Sequence, residues 1–188
     1  MERLSSTYLP SPTNSYILLN KVIVVVNSYE LDGYDLTNLF SKNSKAISFD
    51  DDLKQHVPST GSIIYTIWDK KGVFIYVGIA GIQSDPTKRQ GLTRLKAHAS
   101  GRRSGDQFCI YVHDFYVLPK LVSSGDYTPK RGLLDDLTKD YIRSNLTFKV
   151  KGFDGENSDS VVRSLEDKIK RGVFDIPAPV LNGVERLQ

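Results

Sequence analysis

One cysteine, Cys109, one methionine and one tryptophan are all that 188 residues hold of these three types. A lone thiol excludes an internal disulfide framework and any cysteine-rich zinc site, and the expected setting is a reducing, cytoplasmic one. Long apolar runs are missing as well. The longest, Tyr16 to Val26 (YILLNKVIVVV), is interrupted by Asn20 and Lys21 and falls short of the roughly 20 residues that span a bilayer. No basic segment precedes it and no small-residue cleavage site follows, so it is expected to be core and not a signal peptide. A strong charge of one sign is absent too. The balance of 25 Lys and Arg against 22 Asp and Glu, net +3, permits a polyanionic partner without demanding one.

What is present reads as a folded α+β chain with a small mixed or antiparallel sheet flanked by helices. The first 15 residues, rich in Ser, Thr and Pro, read as an irregular arm, and Tyr16 to Ser28 as a strand, with a buried helix as the competing assignment. A short helix fits Tyr34 to Phe40. The turn-rich VPSTGS, Val57 to Ser62, marks the internal boundary. It separates an N-terminal extension, residues 1–58, from a domain over 59–188. In that domain the stretch SIIYTIWDKKGVFIYVGIAG, Ser62 to Gly81, predicts a hairpin of strands Ile63–Trp68 and Val73–Val77. A helix is expected from Gly91 to Ser100, broken by GRRSGD, and a third strand over Phe108 to Leu118. A helix opened by Thr128-Pro129 runs to Ser144 with Leu134, Leu137 and Tyr141 inward. A strand over Thr147 to Phe153 precedes a final helix capped by Asp159 or Ser160, which turns Val162, Leu165 and Ile169 to the core. The order from Gly61 on is ββαβαβα.

The hairpin explains the alternation but not why Tyr65 and Tyr76 occupy it, where valine or isoleucine would pack as well. In the following helix Arg94 and His98 stand at i, i+4 and project side by side. Glu166 lies at the margin of the apolar stripe of the last helix. A guanidinium, an imidazole, a carboxylate and two phenols over one sheet suit phosphodiester hydrolysis. That reaction needs a cation on the phosphoryl oxygens, a carboxylate for a divalent metal, and a group that takes a proton from water.

These residues resemble the GIY-YIG nuclease family. The hairpin gives IIY, ten further residues, then YVG; GLTRLKAH matches the family's arginine and the histidine of its restriction-enzyme branch; SLEDKI followed by VLN matches its glutamate and downstream asparagine. The resemblance covers roughly Gly61 to Gly183. It implies a DNA endonuclease of restriction or phage-defence type using one Mg2+ or Mn2+ per site. Tyr76, or alternatively Tyr65, would be the general base or its relay, in a site that favours the phenolate. Arg94 would stabilise phosphate charge, His98 would assist the tyrosine or receive its proton, Glu166 would be the only protein ligand of the metal, and Asn182 would support the site by hydrogen bonding. The leading glycine of the first tripeptide is replaced by Ile63, with Gly61 close by.

Beside the resemblance, Lys88, Arg89, Arg102 and Arg103 are candidate contacts to a phosphate backbone. Double-stranded cleavage from one site per chain would require a homodimer or sequential nicks. The bland alternatives are a solvated Arg-x-x-x-His face, an i, i+4 contact of Glu166 with Lys170, a core role for Cys109 and a structural one for His113, and a surface position for His56. The competing functions are a nucleic-acid-binding module of the same fold without turnover, and a repair or RNA-directed nuclease. Glu166-Asp167-Lys168 also spells the E-x-K of another restriction fold, but the helical spacing around it argues against the strand that motif needs.

Overall fold

A computed structural model describes residues 13–19, 22–81, 90–125, 128, 130 and 132–182, with side chains from residue 29 onward. The described residues begin with an antiparallel pair, β1 (Thr13–Leu19) and β2 (Val22–Ser28), in full register from Thr13 opposite Ser28 to Leu19 opposite Val22. The single strand expected from Tyr16 to Ser28 is therefore two. The polar pair that interrupts the apolar run, Asn20 and Lys21, falls between them in sequence and outside the described residues. A second, minimal hairpin joins β3 (Glu30–Leu31) to β4 (Tyr34–Asp35). Its connection, Asp32-Gly33, has positive φ at both residues, the geometry an Asp-Gly pair adopts readily.

Then follow α1 (Thr37–Phe40), shorter than the helix expected from Tyr34, the two-residue strand β5 (Ile47–Ser48) and a 3-10 turn, Leu53–Gln55, capped by the Asp52 carboxylate. The expected hairpin is β6 (Ser62–Asp69) and β7 (Phe74–Ala80), and its turn is tied by Asp69, whose Oδ1 accepts from the backbone N–H groups of Lys71 and Val73. Next come α2 (Gln90–Ala99), α3 (Gln107–Val112), one π-helical turn (His113–Val117), α4 (Leu118–Ser124), α5 (Leu133–Asn145), β8 (Leu146–Phe153) and α6 (Ser158–Ile169).

The main sheet has the order β5-β8-β6-β7 and is antiparallel throughout. The fold is thus α+β, with antiparallel sheets and flanking helices. Helices α2, α3 and α5 cover one face, where Ile63, Ile67, Leu95, Phe108, Ile142 and Phe148 are buried. On the other, α1 and α6 bury Ile64, Val77, Leu39, Phe40, Val162 and Leu165. Residues before the Val57 to Ser62 boundary belong to both layers: Leu31 to Phe40 pack on one face, and Ile47 to Val57 on the other, with β5 extending the sheet. No described helix is long and apolar enough to cross a membrane.

Three local expectations are corrected. Phe108 to Leu118 is helical, not a third strand, so the order after Gly61 is two strands, a run of helices, one strand and a last helix. Its buried positions, Phe108, Cys109, Val112, His113 and Val117, recur at helical spacing, and the aromatic content that suggested alternation masked that period. Helix α5 starts at Leu133, behind Gly132 in the left-handed region (φ 80°), and not at Thr128-Pro129; Pro129 lies outside the described residues. It buries Thr138 and Ile142 fully, while Leu134, Leu137 and Tyr141 are half-buried. Helix α6 does bury Val162, Leu165 and Ile169, but Asn157 is its cap position, and Asp159 instead accepts a hydrogen bond from Ser62 Oγ at 2.8 Å.

Candidate active site

The central strand β6 carries Tyr65 onto the face covered by α2 and α3, and its edge partner β7 carries Tyr76 beside it, ring centroids 6.4 Å apart. A bulge sets this up. Ile67 pairs with Tyr76 but Trp68 pairs with Phe74, so Ile75 is an extra residue in β7, and such bulges re-aim neighbouring side chains. Opposite Tyr65 stands Gly78. A Cβ there would lie 2.6 Å from Tyr65 Cζ, so the glycine of the YVG tripeptide is what lets the Tyr65 ring cross its neighbouring strand.

Helix α2 lies over the pair. The Tyr65 hydroxyl is 2.8 Å from His98 Nε2, and His98 Nδ1 is 2.7 Å from Asp106 Oδ2. All three side chains are buried, His98 and Tyr65 completely. Burial lowers the His98 pKa despite the opposing Asp106 carboxylate. For Asp106 burial works against the charge, but the hydrogen bond from His98, the Arg94 guanidinium and the backbone N–H of Cys109 outweigh it and the net pKa is lowered. A neutral imidazole beside an ionised carboxylate has one consistent hydrogen assignment: Nδ1–H donates to Asp106, and Nε2 accepts from the Tyr65 O–H. The Tyr65 oxygen is then open to a donor. Arg94, one turn before His98 on α2, stands close enough for its charge to act on both phenols. Donor and acceptor directions therefore agree along the series Tyr65, His98, Asp106, with the Arg94 guanidinium beside it.

The two phenols differ in access. Tyr65 is enclosed, whereas Tyr76 is half-buried, packed edge-on to His98 at 6.0 Å and tilted against Phe108 at 5.1 Å. Both have raised pKa values, mainly through burial, with Arg94 pulling the other way. The expectation that the site favours a phenolate is not met by the free protein, because desolvation of the ring oxygens exceeds the stabilisation one guanidinium supplies. Glu166 contributes to the rise at Tyr76, so its charge reaches that phenol from α6.

Glu166 itself has a raised pKa, chiefly from burial, relieved in part by Lys170, whose Nζ is 3.2 Å from Oε1. The i, i+4 contact foreseen as the bland alternative is thus present, and the carboxylate is nonetheless 85% enclosed. Its side chain is 15% exposed. Among the described residues no group of three or more His, Cys, Asp or Glu side chains converges as a metal cluster. A single carboxylate still suits Mg2+, which keeps most of its waters and takes one or two protein oxygens.

Asn182 supports β7 directly. Its Oδ1 accepts from Val77 N at 2.6 Å and its Nδ2 donates to Val77 O at 2.8 Å, while Leu181 N donates to Ile75 O. These bonds hold the backbone on either side of Tyr76. Arg94 lines a cleft of about 460 Å³ with Ile79, Gly81, Gln90 and Thr93. Lys88 and Arg89 lie outside the described residues. Of the other two candidate backbone contacts, Arg102 is exposed and Arg103 is engaged by Asp135, Nε to Oδ1 2.9 Å.

Cys109 is fully buried and burial pushes its thiol up to about 12, which leaves it an inert core residue. His113 is buried on the π-helical turn with Nδ1 2.8 Å from Asp114 Oδ1, and His56 is half-buried. The residue that sequence reasoning missed is Asp106. The signal was present in GRRSGDQF: an aspartate two residues before Phe108, whose N–H its Oδ1 accepts at 3.0 Å to cap α3. Reading that segment only as a helix breaker hid the carboxylate that orients His98. No protein-family model, curated protein or solved structure matches the chain, and its own residues are what a functional reading has to stand on.

Proposed function

We propose that this protein is a metal-dependent endonuclease of the GIY-YIG type, hydrolysing DNA phosphodiester bonds. The observation that carries this reading is geometric: Tyr65 and Tyr76 lie side by side on adjacent strands, ring centroids 6.4 Å apart, against the helix that bears Arg94 and His98, and the Glu166 charge reaches Tyr76 from α6. Three residue types that a phosphoryl-transfer site requires, arginine, tyrosine and glutamate, are thus brought near one another from four elements, α2, β6, β7 and α6.

In this reading a scissile phosphate enters beside Arg94, whose guanidinium stabilises the charge that builds on its oxygens. Arg94 is held in place by the Tyr65 oxygen, and Tyr65 by His98 and Asp106, so the buried series positions the cation and does not touch substrate. Tyr76, the accessible phenol, orients the attacking water and, as phenolate once its own proton has passed to solvent, accepts the proton of that water. Burial and the Glu166 charge hold the pKa of that phenol up, so a cation held by Glu166 would ease its ionisation. A divalent cation on Glu166 would supply Lewis-acid polarisation of the phosphoryl group.

Cleavage of supercoiled plasmid with Mg2+ tests the reading. The intact protein is expected to nick or linearise it, and Arg94→Ala and Glu166→Ala to lose about 10²–10³ in rate. Normal cutting by either variant, or intact protein inert on varied DNA, removes the catalytic assignment. A second reading, a nucleic-acid-binding module without turnover, is favoured by the raised pKa of both phenols. It expects DNA retention with no product at any pH or metal concentration.

A further inference from the structure

On the face of the sheet away from Tyr65, the β6–β7 turn, the segment after α1 and residues 175–177 enclose a cavity of about 700 Å³. This is within the range of small-molecule sites. Its walls are of two kinds. Tyr29, Phe40 and Trp68 give it an aromatic side, with Trp68 backed by Phe74 at 4.7 Å and its indole N–H satisfied by Thr66 Oγ1 at 2.9 Å. Lys42, Lys70, Lys71 and Lys149 give it four cations. The acids there are Asp69, whose Oδ1 is spent on two backbone N–H groups of its own turn, and Asp175.

Lys149 carries the argument. It is 7% exposed, its ammonium lies 5.4 Å from the centre of the Trp68 ring, and it donates to Ser41 O at 2.6 Å. An ammonium has three donors, and among the described residues no carboxylate is ion-paired with this one. A cation so enclosed is costly unless an anion offsets it. Burial also lowers its pKa. A fold that retains a desolvated ammonium in the wall of an aromatic cavity, with three more lysines at the rim, has the complement of a ligand that is flat and apolar at one end and anionic at the other.

We propose that this cavity binds a nucleoside phosphate, with the phosphate at Lys149 and the base against the aromatic wall. The site is separate from the Arg94 cleft and does not depend on the nuclease reading. The ligand is either a free nucleotide or the phosphorylated end of a strand, which share this chemistry.

Trp68 is the only tryptophan in the chain, so its emission reports on the cavity alone. Adenosine monophosphate titrated into the full-length protein is expected to change that emission saturably, with adenosine alone and inorganic phosphate alone at least about tenfold weaker. A short 5′-phosphorylated oligonucleotide that competes assigns the site to strand ends; one that does not assigns it to free nucleotides. Lys149→Met is expected to weaken binding about tenfold or more. Should that variant fail to fold, as judged by circular dichroism, Lys42→Ala combined with Lys70→Ala, both exposed, must weaken binding several-fold. No emission change with either nucleotide probe overturns the proposal, as does phosphate binding as tightly as adenosine monophosphate, or unaltered affinity in these variants. Arg94→Ala protein is expected to bind unchanged, which keeps this outcome distinct from the fate of the nuclease reading.

Discussion

The two faces of the main sheet bury polar groups in opposite ways. Under α2 and α3 the Tyr65 hydroxyl, both His98 nitrogens and the Asp106 carboxylate are joined end to end, each atom engaged. Under α1 and α6 the interior is a ring cluster in which Phe40 meets Tyr29, Trp68, Phe74 and Phe174, with centroids between 5.3 and 6.2 Å. The first arrangement is expensive to hold unless complete, because any missing partner leaves a desolvated group. The second is cohesive and tolerant of small shifts. Where buried polar groups are joined end to end, each fixes the direction of the next, and the series under α2 and α3 marks a place where side-chain orientation matters.

The largest expected effect lies on the aromatic side. Phe40→Ala should cost about 3–5 kcal/mol in urea unfolding while leaving the pH dependence of stability unchanged, since no titrating group of the opposite face touches it. A changed pH profile would mean the two faces are energetically coupled. On the polar side, Tyr65→Phe keeps the ring but leaves His98 Nε2 unpaired, at a cost of about 1–3 kcal/mol. It should also loosen Arg94, so the rate of the proposed nuclease reaction is expected to fall with it. Stability lost without any fall in rate would break the link between the series and the cation.

Acid should then separate the faces further. The folded His98 has a lowered pKa, so the unfolded chain binds the extra proton below about 6.5, and the stability present above that pH is lost as the pH falls. Asp106, also lowered, adds to the loss at lower pH, where its folded value is passed. Glu166, raised by burial, has the opposite sign and is relieved on acidification. Between pH 7 and 5 the His98 contribution should appear as a slope of up to about 1.4 kcal/mol per unit, and unfolding of His98→Gln should show it flattened. A wild-type profile without that slope removes the neutral-imidazole assignment. The smallest stability effect is expected at Tyr76→Phe, within about 0.5 kcal/mol of wild type, together with a severe loss of cleavage. The reverse result, a large stability loss and normal cleavage, would return Tyr76 to a packing role.

Much of this was legible in the chain itself, and the failures have physical causes. The β6–β7 hairpin and α6 announce themselves because period-2 and period-3.6 patterns there are flanked by turn residues such as Asp69 to Gly72. Arg94 and His98 were readable because one helical turn fixes their spacing. Phe108 to Leu118 was misread since a π-helical turn shifts the helical phase and the aromatic residues imitate a strand. Asp106 escaped because its partner His98 lies across a turn, and nothing in local spacing says that a capping carboxylate will use its second oxygen on a neighbouring helix. Likewise, the burial of Lys149 follows from the placement of the segment after α1, which only the tertiary fold decides.

The clasp that Asn182 makes on Val77 has a consequence for assembly. A side-chain amide there satisfies the peptide groups that an exposed β7 would offer to the strand of another molecule, and at the opposite margin β5 is only two residues long. Both margins are therefore poor templates for intermolecular strand pairing. If two copies must cooperate to cut both strands of a duplex, they have to meet through helices or loops, and the main sheet stays the private interior of each subunit.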